Sequence, residues 1–304
     1  MLASVQTGIT RLRDHYLFQN LRKGLRLYFS DRITVMMAIG FMFILLLGVF
    51  GPMIAPYDPG TRHADEDGQL IRMSPPTADH PLGTTEGGKD VLSRLLYGTR
   101  PTIITGLMGG FTIVGLGLLI GVSAGYFGGT TDSVLMRITD FAYGIPIIPT
   151  AILVIALLGM GFWSTIFIIG ALLWRGNARV FRSQVLQIKE REHVRAARIS
   201  GASSVYIIAR HILPNIAGMI VLFFALGTGL TIIISASLAF LGFLNPFTPS
   251  WGIMIRNAYG SGVPLDAWWW TLPPGLAISF TVLIIIMLGR GYERVHNTDV
   301  NQIG

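Results

Sequence analysis

The chain has 304 residues, 51% of them apolar and only 13% charged, with a formal net charge of +7. That charged fraction is about half the ~25% of soluble domains; with 37 glycines and long uncharged runs it reads as an integral membrane protein. Absence of cysteine excludes disulfides and thiolate metal sites, the six histidines lack metal-ligand spacing, and the basic residues cluster in polar segments without aromatic interleaving, which argues against a nucleic-acid binder.

Residues 1–32 carry Arg11, Arg13, Arg22, Lys23, Arg26 and Arg32, and no small-residue cleavage site follows the first apolar run. They read as a cytoplasmic segment before an uncleaved first membrane helix, 33–55. A polar stretch rich in Asp, Pro and Gly, 56–97, reads as an extracytoplasmic loop. Within it Asp90 is predicted to cap a helix over "VLSRLLYG". The second span is predicted at 102–125. Gly117, Gly121, Gly125 and Gly129 repeat every four residues there, which predicts a seam for close helix packing.

The apolar run 151–174 allows one span or the junction of two. Charge decides. The segment 175–210 is the most basic of the chain and, like the N-terminus, belongs in the cytoplasm. An even number of crossings must separate the two, so the run breaks at Gly159-Met160-Gly161. Span three is expected at about 137–159 and span four at about 162–181. Arg137 and Asp140, three apart, are expected to pair on one helical face. Pro146 and Pro149 mark a kink. Span five is expected at 219–243. Span six, 269–288, opens with Trp268, Trp269 and Trp270 at the outer interface. The expectation is an all-α polytopic protein with six spans, a transport region over 98–289, and a cytoplasmic tail, 290–304.

"GTTEGGKD", Gly83 to Asp90, is one residue short of a Walker A phosphate loop. The topology places it outside the cytoplasm. Pro75, Pro76 and Pro81 precede it where a buried strand is needed, and Glu86 and Asp90 would repel phosphate. Nucleotide binding is not expected here. His80, Asp90 and Ser93 lie close in sequence, but no nucleophile motif accompanies them, and no catalytic or metal site is expected.

The stretch 192–215, "EHVRAARISGASSVYIIARHILPN", reads as two short helices turning at Gly201. Val194, Ala197 and Ile199 are expected as modest apolar contacts. Small residues let a partner approach closely, and the arginines add charge for docking. The stretch resembles the EAA loop of importer-type ABC permeases, E-A-A-x3-G-x9-I-x-L-P: Ala196, Ala197, Gly201, Leu213 and Pro214 match, while Arg195 and His211 depart. Glu192, Val194 and the run His211 to Asn215 resemble the C-type subunits of dipeptide/oligopeptide permeases. "IAPYDP" (54–59), "HPLGTTEGGKDVLSRLLYGTR" (80–100), "AGYFGG" (124–129), "MRITD" (136–140), "PSWG" (249–252) and "AWW" (267–269) are similar to that branch as well; "IMLGRGYER" (286–294) departs from it.

The resemblance implies a type I ABC importer permease fold and a subunit that moves peptides delivered by an extracytoplasmic binding protein. It implies pairing with a B-type permease, two ABC ATPase subunits that bind the ATP, and residence in a prokaryotic cytoplasmic membrane with both termini inside. The family also includes permeases for nickel, glutathione and oligosaccharides. An ion-coupled secondary transporter is the more distant alternative, disfavoured by the single acid near a span edge. Within a coupling loop over 182–215, the resemblance assigns ATPase coupling to Glu192, Ala196, Ala197, Gly201, Leu213 and Pro214. Thr231, Ser235 and Ser237 are weaker candidates for lining a pathway, since such hydroxyls more often bond their own helix.

Overall fold

The computed structural model describes residues 31–159, 161–262 and 266–303. Among them all regular structure is helical; the only β features are two isolated bridges, Ala64 with Leu70 and Thr84 with Asp90. The long helices are α1 (Arg32–Ile54), α2 (Val91–Phe127), α5 (Phe162–Ile188), α9 (Ala217–Phe240) and α11 (Trp268–Ile303). Two shorter ones, α3 (Gly129–Tyr143) and α4 (Ile147–Leu158), join α2 to α5. The segment after α5 folds as α6 (Glu192–Ile199), α7 (Ser204–Ile207), a π-helical turn (Ile208–Ile212) and α8 (Leu213–Asn215). A final short helix, α10 (Trp251–Gly260), lies between α9 and α11.

Asp90 caps α2 as the sequence predicts, its carboxylate accepting from Ser93 N at 2.7 Å. "VLSRLLYG" is not a separate helix, however. It is the first two turns of a 37-residue helix that continues through Pro101. At about 1.5 Å per residue such a helix is roughly 55 Å long, well beyond a ~30 Å hydrocarbon core.

Helix α2 is the centre of the fold, and glycine makes it so. A Cβ on Gly117 would lie 2.7 Å from Asn177 Cβ, on Gly121 2.4 Å from Ala178 O, and on Gly125 2.8 Å from Val185 Cβ. Three of the four predicted stripe positions therefore bring the backbone of α2 against α5. The fourth, Gly129, meets nothing within 4 Å and begins α3. A second seam was not anticipated. Gly106, Gly109 and Gly110 receive Ile232, Thr231 and Thr228 of α9, with would-be Cβ contacts of 2.3–2.6 Å.

The seams also fix direction. Along α2 and α5 the paired numbers rise together, 117 with 177, 121 with 178 and 125 with 185, so the two helices run parallel. Residues 106–110 pair with 232 down to 228, so α9 is antiparallel to α2. Gly229 meets Val282 and Ile286 while Gly289 meets Ala225, so α11 is antiparallel to α9. Gly48 approaches Arg100 and Gly51 approaches Leu96, so α1 is antiparallel to α2.

Among the described residues, four helices are long and apolar enough to cross a membrane: α1, α2, α9 and residues 268–295 of α11. The expected third span is not one helix. It divides into α3 and α4, bent by 89°, because Gly144-Ile145-Pro146 interrupts the ladder and Pro146 serves as the N-cap of α4. Counted as one broken span they make a fifth. Helix α5 begins after Gly161, as expected, but its second half carries Arg175, Arg179 and Arg182, and by composition it falls short of a sixth. Residues 290–303 are not a detached tail; they continue α11. The N-terminal segment expected to be cytoplasmic, 1–32, lies outside the described residues except for Asp31 and Arg32.

The seam predicts that Gly121→Leu, forced against a carbonyl that cannot rotate away, costs about 1–3 kcal/mol by overpacking. The apparent melting temperature of the detergent-solubilised protein falls by several degrees. Gly115→Ala, where a Cβ meets nothing within 4 Å on an exposed face, does not lower it.

Candidate functional site

The segment 189–216 projects from one end of the bundle and is tied down in three places. Lys189 Nζ donates to Gly125 O at 2.8 Å, joining the end of α5 to the end of α2. Only Lys189, Glu190 and Arg191 separate α5 from α6. Val194, the one fully buried residue of α6, packs into a cluster with Phe181, Val185 and Ile188 of α5 and with Ile207, Ile212 and Ile216 downstream. Arg198 turns back over the Tyr126 ring, 5.6 Å from its centroid, and Arg195 pairs with Glu190 at 2.9 Å in the open.

The turn at Gly201 is a Schellman motif. Gly201 N donates to Arg198 O at 3.0 Å, Ala202 N donates to Ala197 O at 3.1 Å, and Gly201 takes φ +82°. A Cβ there would meet nothing within 4 Å, so glycine is required by the backbone angle and not by crowding inside this chain. Ala197 and Ala202, the two residues flanking the motif, pack against the same cluster as Val194. Ser203 then caps α7, accepting from Tyr206 N at 3.3 Å.

"HILPN" has its own physical reason. Pro214 has no N–H to give, and the helix ahead of it loosens into the π turn, with Leu213 N reaching Ile208 O. Asn215 Nδ2 donates to His211 O at 2.7 Å, supplying that carbonyl with a side-chain donor. Leu213 lies half-buried on the cluster.

Of the predicted coupling residues, Glu192, Ala196 and Gly201 are exposed, Ala197 and Leu213 are half-buried, and Pro214 is exposed. Ile199, expected as a modest apolar contact, makes none of note within the chain. It is 87% exposed, since Val194 and Ala197 already occupy the inward face of this two-turn helix. Val205 (77% exposed) and Tyr206 (53%) stand on the other side of the turn. These two residues were missed by the sequence reading, and their signal was present: bulky apolar side chains immediately after a capping serine, out of register with Ile207. The result is a short elbow with a rigid inner face and an apolar outer face.

The profile of the family described as "Binding-protein-dependent transport system inner membrane component" matches residues 117–301. The chain belongs to this family. It is 36% identical over 257 residues to the dipeptide transport system permease protein DppC of Bacillus subtilis, covering 83% of this chain and 77% of that one. It is 31% identical over 293 residues to the probable D,D-dipeptide transport system permease protein DdpC of Escherichia coli, covering 96% and 95%. It is 32% identical to the glutathione transport system permease protein GsiD of Pectobacterium atrosepticum, covering 92% and 91%. A chain of the MetNI methionine ABC transporter, solved in inward-facing conformations, superposes with a TM-score of 0.54 at 17% identity, covering 67% of this chain and 96% of that one. The fold is that of an ABC importer permease, and the protein is a multi-pass membrane component of a binding-protein-dependent transport system.

As a permease, the chain has two further regions to account for. Of the pathway candidates, Ser235 lines a cavity of about 120 Å³ between α2, α5, α9 and α10, beside Thr102, Thr105 and Thr165. Thr231 is sealed against Gly109 and bonds Gly227 O, and Ser237 bonds Ile233 O of its own helix. Asp140 does not pair with Arg137. It reaches Arg179 of α5 at 2.5 Å, while Arg182 grips Asp132 through two bonds at 2.5 and 2.6 Å. The cross-helix partner wins because α3 packs along the arginine-bearing half of α5.

At the opposite end, the loop 56–90 is built on buried polar groups. The Walker-like stretch is a tight turn whose N–H groups face inward: Thr85 N donates to Lys89 O, Gly88 N to Thr85 O and Lys89 N to Thr85 Oγ1. None of these is left for a phosphate. His80, Asp90 and Ser93 do meet, but with the carboxylate in the middle: Asp90 Oδ1 lies 3.0 Å from His80 Nδ1, and Asp90 Oδ2 accepts from Ser93 Oγ at 2.7 Å. A nucleophile requires the imidazole at the hydroxyl; this arrangement anchors the loop to the start of α2. Beside it His63 packs against Tyr57 and His80, with ring centroids 4.3 and 4.7 Å away, and its Nε2 is buried without a partner. Burial, and then His80, hold the His63 imidazole below its ordinary 6.5, with Asp90 opposing. The fold resists protonation there, so its contribution is complete above the unfolded value and is lost as pH falls through the depressed folded value. Protection of the 56–90 amides, read as exchange corrected for its intrinsic pH dependence, is therefore expected to fall as pH drops below the ordinary 6.5 toward the depressed folded value. His63→Phe flattens that dependence.

Proposed function

We propose that this chain is the C-type permease subunit of an ATP-driven importer of short peptides, and that the elbow 192–215 is the handle by which separate ATPase subunits move it. One observation carries the reading. The elbow is a rigid body on its inner side, fused through Val194 and Lys189 to α5 and α2, yet exposes Ile199, Gly201, Val205 and Tyr206 on its outer side. A monomer gains nothing from that apolar outer face, whereas a grooved partner does. Movement of the elbow drags α5 and α2 with it, since a sharp, capped turn transmits force where a floppy loop would not.

The direction of the helices supports six crossings. Because α5 is parallel to α2, the chain between them has to return, which makes α3 and α4 one broken span and α5 a crossing of its own. The ends of α2, α5 and α11 and the starts of α1 and α9 then share one side with the elbow. Asp31, whose carboxyl is held low by Ile33 N and Thr34 and also by the more distant Arg294, joins the start of α1 to α11 on that side. The density of arginine and lysine there makes it the cytoplasmic side, with both ends of the described chain facing inward. The peptide substrate is the reading favoured by the dipeptide permeases among its relatives; glutathione, itself a short peptide, stays within it. A B-type permease, two ATPases that bind the ATP, and an extracytoplasmic binding protein complete the assembly.

The test is reconstitution with those partners in proteoliposomes. Ile199→Asp leaves the amount of inserted protein unchanged, because that side chain is not packed within the chain; Gly201→Asp adds only the local strain of a Cβ at φ +82° in an exposed turn, and it too still inserts. Each lowers ATP-driven dipeptide uptake at least about tenfold, the equivalent of about 1.4 kcal/mol of lost coupling, and weakens co-purification of the ATPases. Wild-type uptake in both variants removes the coupling assignment. Uptake that collapses with a proton ionophore but persists without ATP removes the importer reading altogether.

A further inference from the structure

At the end of the bundle away from the elbow, the loop 56–90 and the segments around α10 enclose a cavity of about 740 Å³. Four cationic side chains line it: Arg62 and Lys89 from the loop, Arg94 from the first turn of α2, and Arg256 from α10. Glu86, at an exposed position, is the one carboxylate among the lining residues, which leaves a formal excess of three positive charges. Among the described residues none of the four cations has a carboxylate at ion-pair distance.

Arg94 is the most telling of them. It is only 7% exposed, and its Nη1 makes one hydrogen bond, to Pro59 O at 3.2 Å. A guanidinium largely withdrawn from water and matched by a single carbonyl is poorly compensated except where its remaining N–H groups reach the cavity. Lys89 is under the same pressure. Burial, then Arg94 and Arg62, hold its ammonium below the ordinary lysine range, with only the more distant Asp58 opposing. A site with this charge balance is stabilised by an anion, and arginine forks favour planar, bidentate acceptors such as carboxylates. The volume falls within the ~300–1,000 Å³ of small-ligand sites. Trp270, itself buried, with Pro246, Phe247 and Pro249, gives one wall an apolar surface next to the charges. This pairs an anionic end with a hydrophobic side chain.

We propose that this cavity binds a carboxylate, and that its ligand is the free C-terminus of a short peptide on the extracytoplasmic side. The carboxylate part stands on the cavity alone; the peptide part rests on the functional reading above.

The assembled membrane complex in nanodiscs, without binding protein, is titrated calorimetrically with Ala-Phe, with Ala-Phe amide and with acetate. Ala-Phe is expected to bind at least about tenfold more tightly than the amide. The double variant Lys89→Gln, Arg256→Gln removes that preference. Glu86→Gln, which deletes the opposing charge, tightens Ala-Phe binding, a gain that a misfolded protein cannot show. Equal binding of acid and amide by the wild type, or an undiminished preference in the double variant, overturns the proposal. Acetate binding that the double variant abolishes, without any binding of Ala-Phe, keeps the anion site and rejects the peptide as its ligand. Peptide import that persists alongside equal acid and amide binding rejects the site and leaves the transport reading standing.

Discussion

Contact between backbones along α2 is the constraint on which the rest of this structure depends. In a bilayer the hydrophobic effect does not drive helices together, because lipid tails are as apolar as the side chains they would replace. Association has to come from close packing, and close packing from the absence of side chains. Helix α2 supplies two such faces, Gly117, Gly121 and Gly125 toward α5 and Gly106, Gly109 and Gly110 toward α9. The two faces lie at different heights, so α5 grips the half of α2 near the elbow and α9 grips the half nearer the outer loop. A single helix, continuous through Pro101, thereby connects the two regions with chemical character. One end of it carries Asp90 and the buried loop network; the other receives Lys189 and the elbow.

The two ends differ in how they use charge. At the elbow, the arginines are spent on holding the chain to itself: Arg182 on Asp132, Arg179 on Asp140 and the Tyr143 ring, Arg198 on Tyr126. Beside the exposed Arg191, Arg195 and Arg210, the outer surface there carries small and apolar residues, Ala196, Ile199, Gly201 and Val205. At the loop end, Arg62, Lys89, Arg94 and Arg256 line a concavity without ion-pair partners among the described residues. Internal ion pairs stiffen the surface that carries them, while cations without carboxylate partners leave a surface open to an anion.

Much of this was legible in the residues. The four-residue glycine repeat gave one seam, Asp90 gave the start of α2, the break at Gly159 to Gly161 gave the start of α5, and Gly201 gave the elbow, each because a local rule leaves few alternatives. What was hidden depended on a partner distant in the chain. Gly106, Gly109 and Gly110 do not form a strict repeat and acquire meaning only when Thr228, Thr231 and Ile232 arrive from more than a hundred residues away. Asp140 looked matched to Arg137 because helical spacing is visible in sequence and a neighbouring helix is not. Ile199, read as a modest apolar contact, is exposed because the inward face of the two-turn α6 is already taken by Val194 and Ala197. The helix α10 was unforeseen although Ser250 caps it, since ten residues between two spans do not stand out by composition.

The break between α3 and α4 shows how the seam imposes structure on a sequence that resists it. Parallel packing of α5 on α2 obliges residues 128–161 to bring the chain back to the level where α2 began. A straight helix would suffice, but Gly144 and Pro146 prevent one, and an interrupted helix exposes carbonyls that lipid cannot satisfy. Arg175 answers this from the facing side of α5. Its Nη1 donates to Ala142 O and, at 3.1 Å, to Ile145 O, the carbonyls flanking the interruption, while its guanidinium lies 5.1 Å from the Tyr143 ring. The charge that makes α5 a poor span by composition is thus the group that makes the preceding broken helix tolerable. Removing the arginine to improve the hydropathy of α5 would strand the carbonyls of α3, so the two departures from an ideal membrane helix are one arrangement, held together by the register that the glycines set.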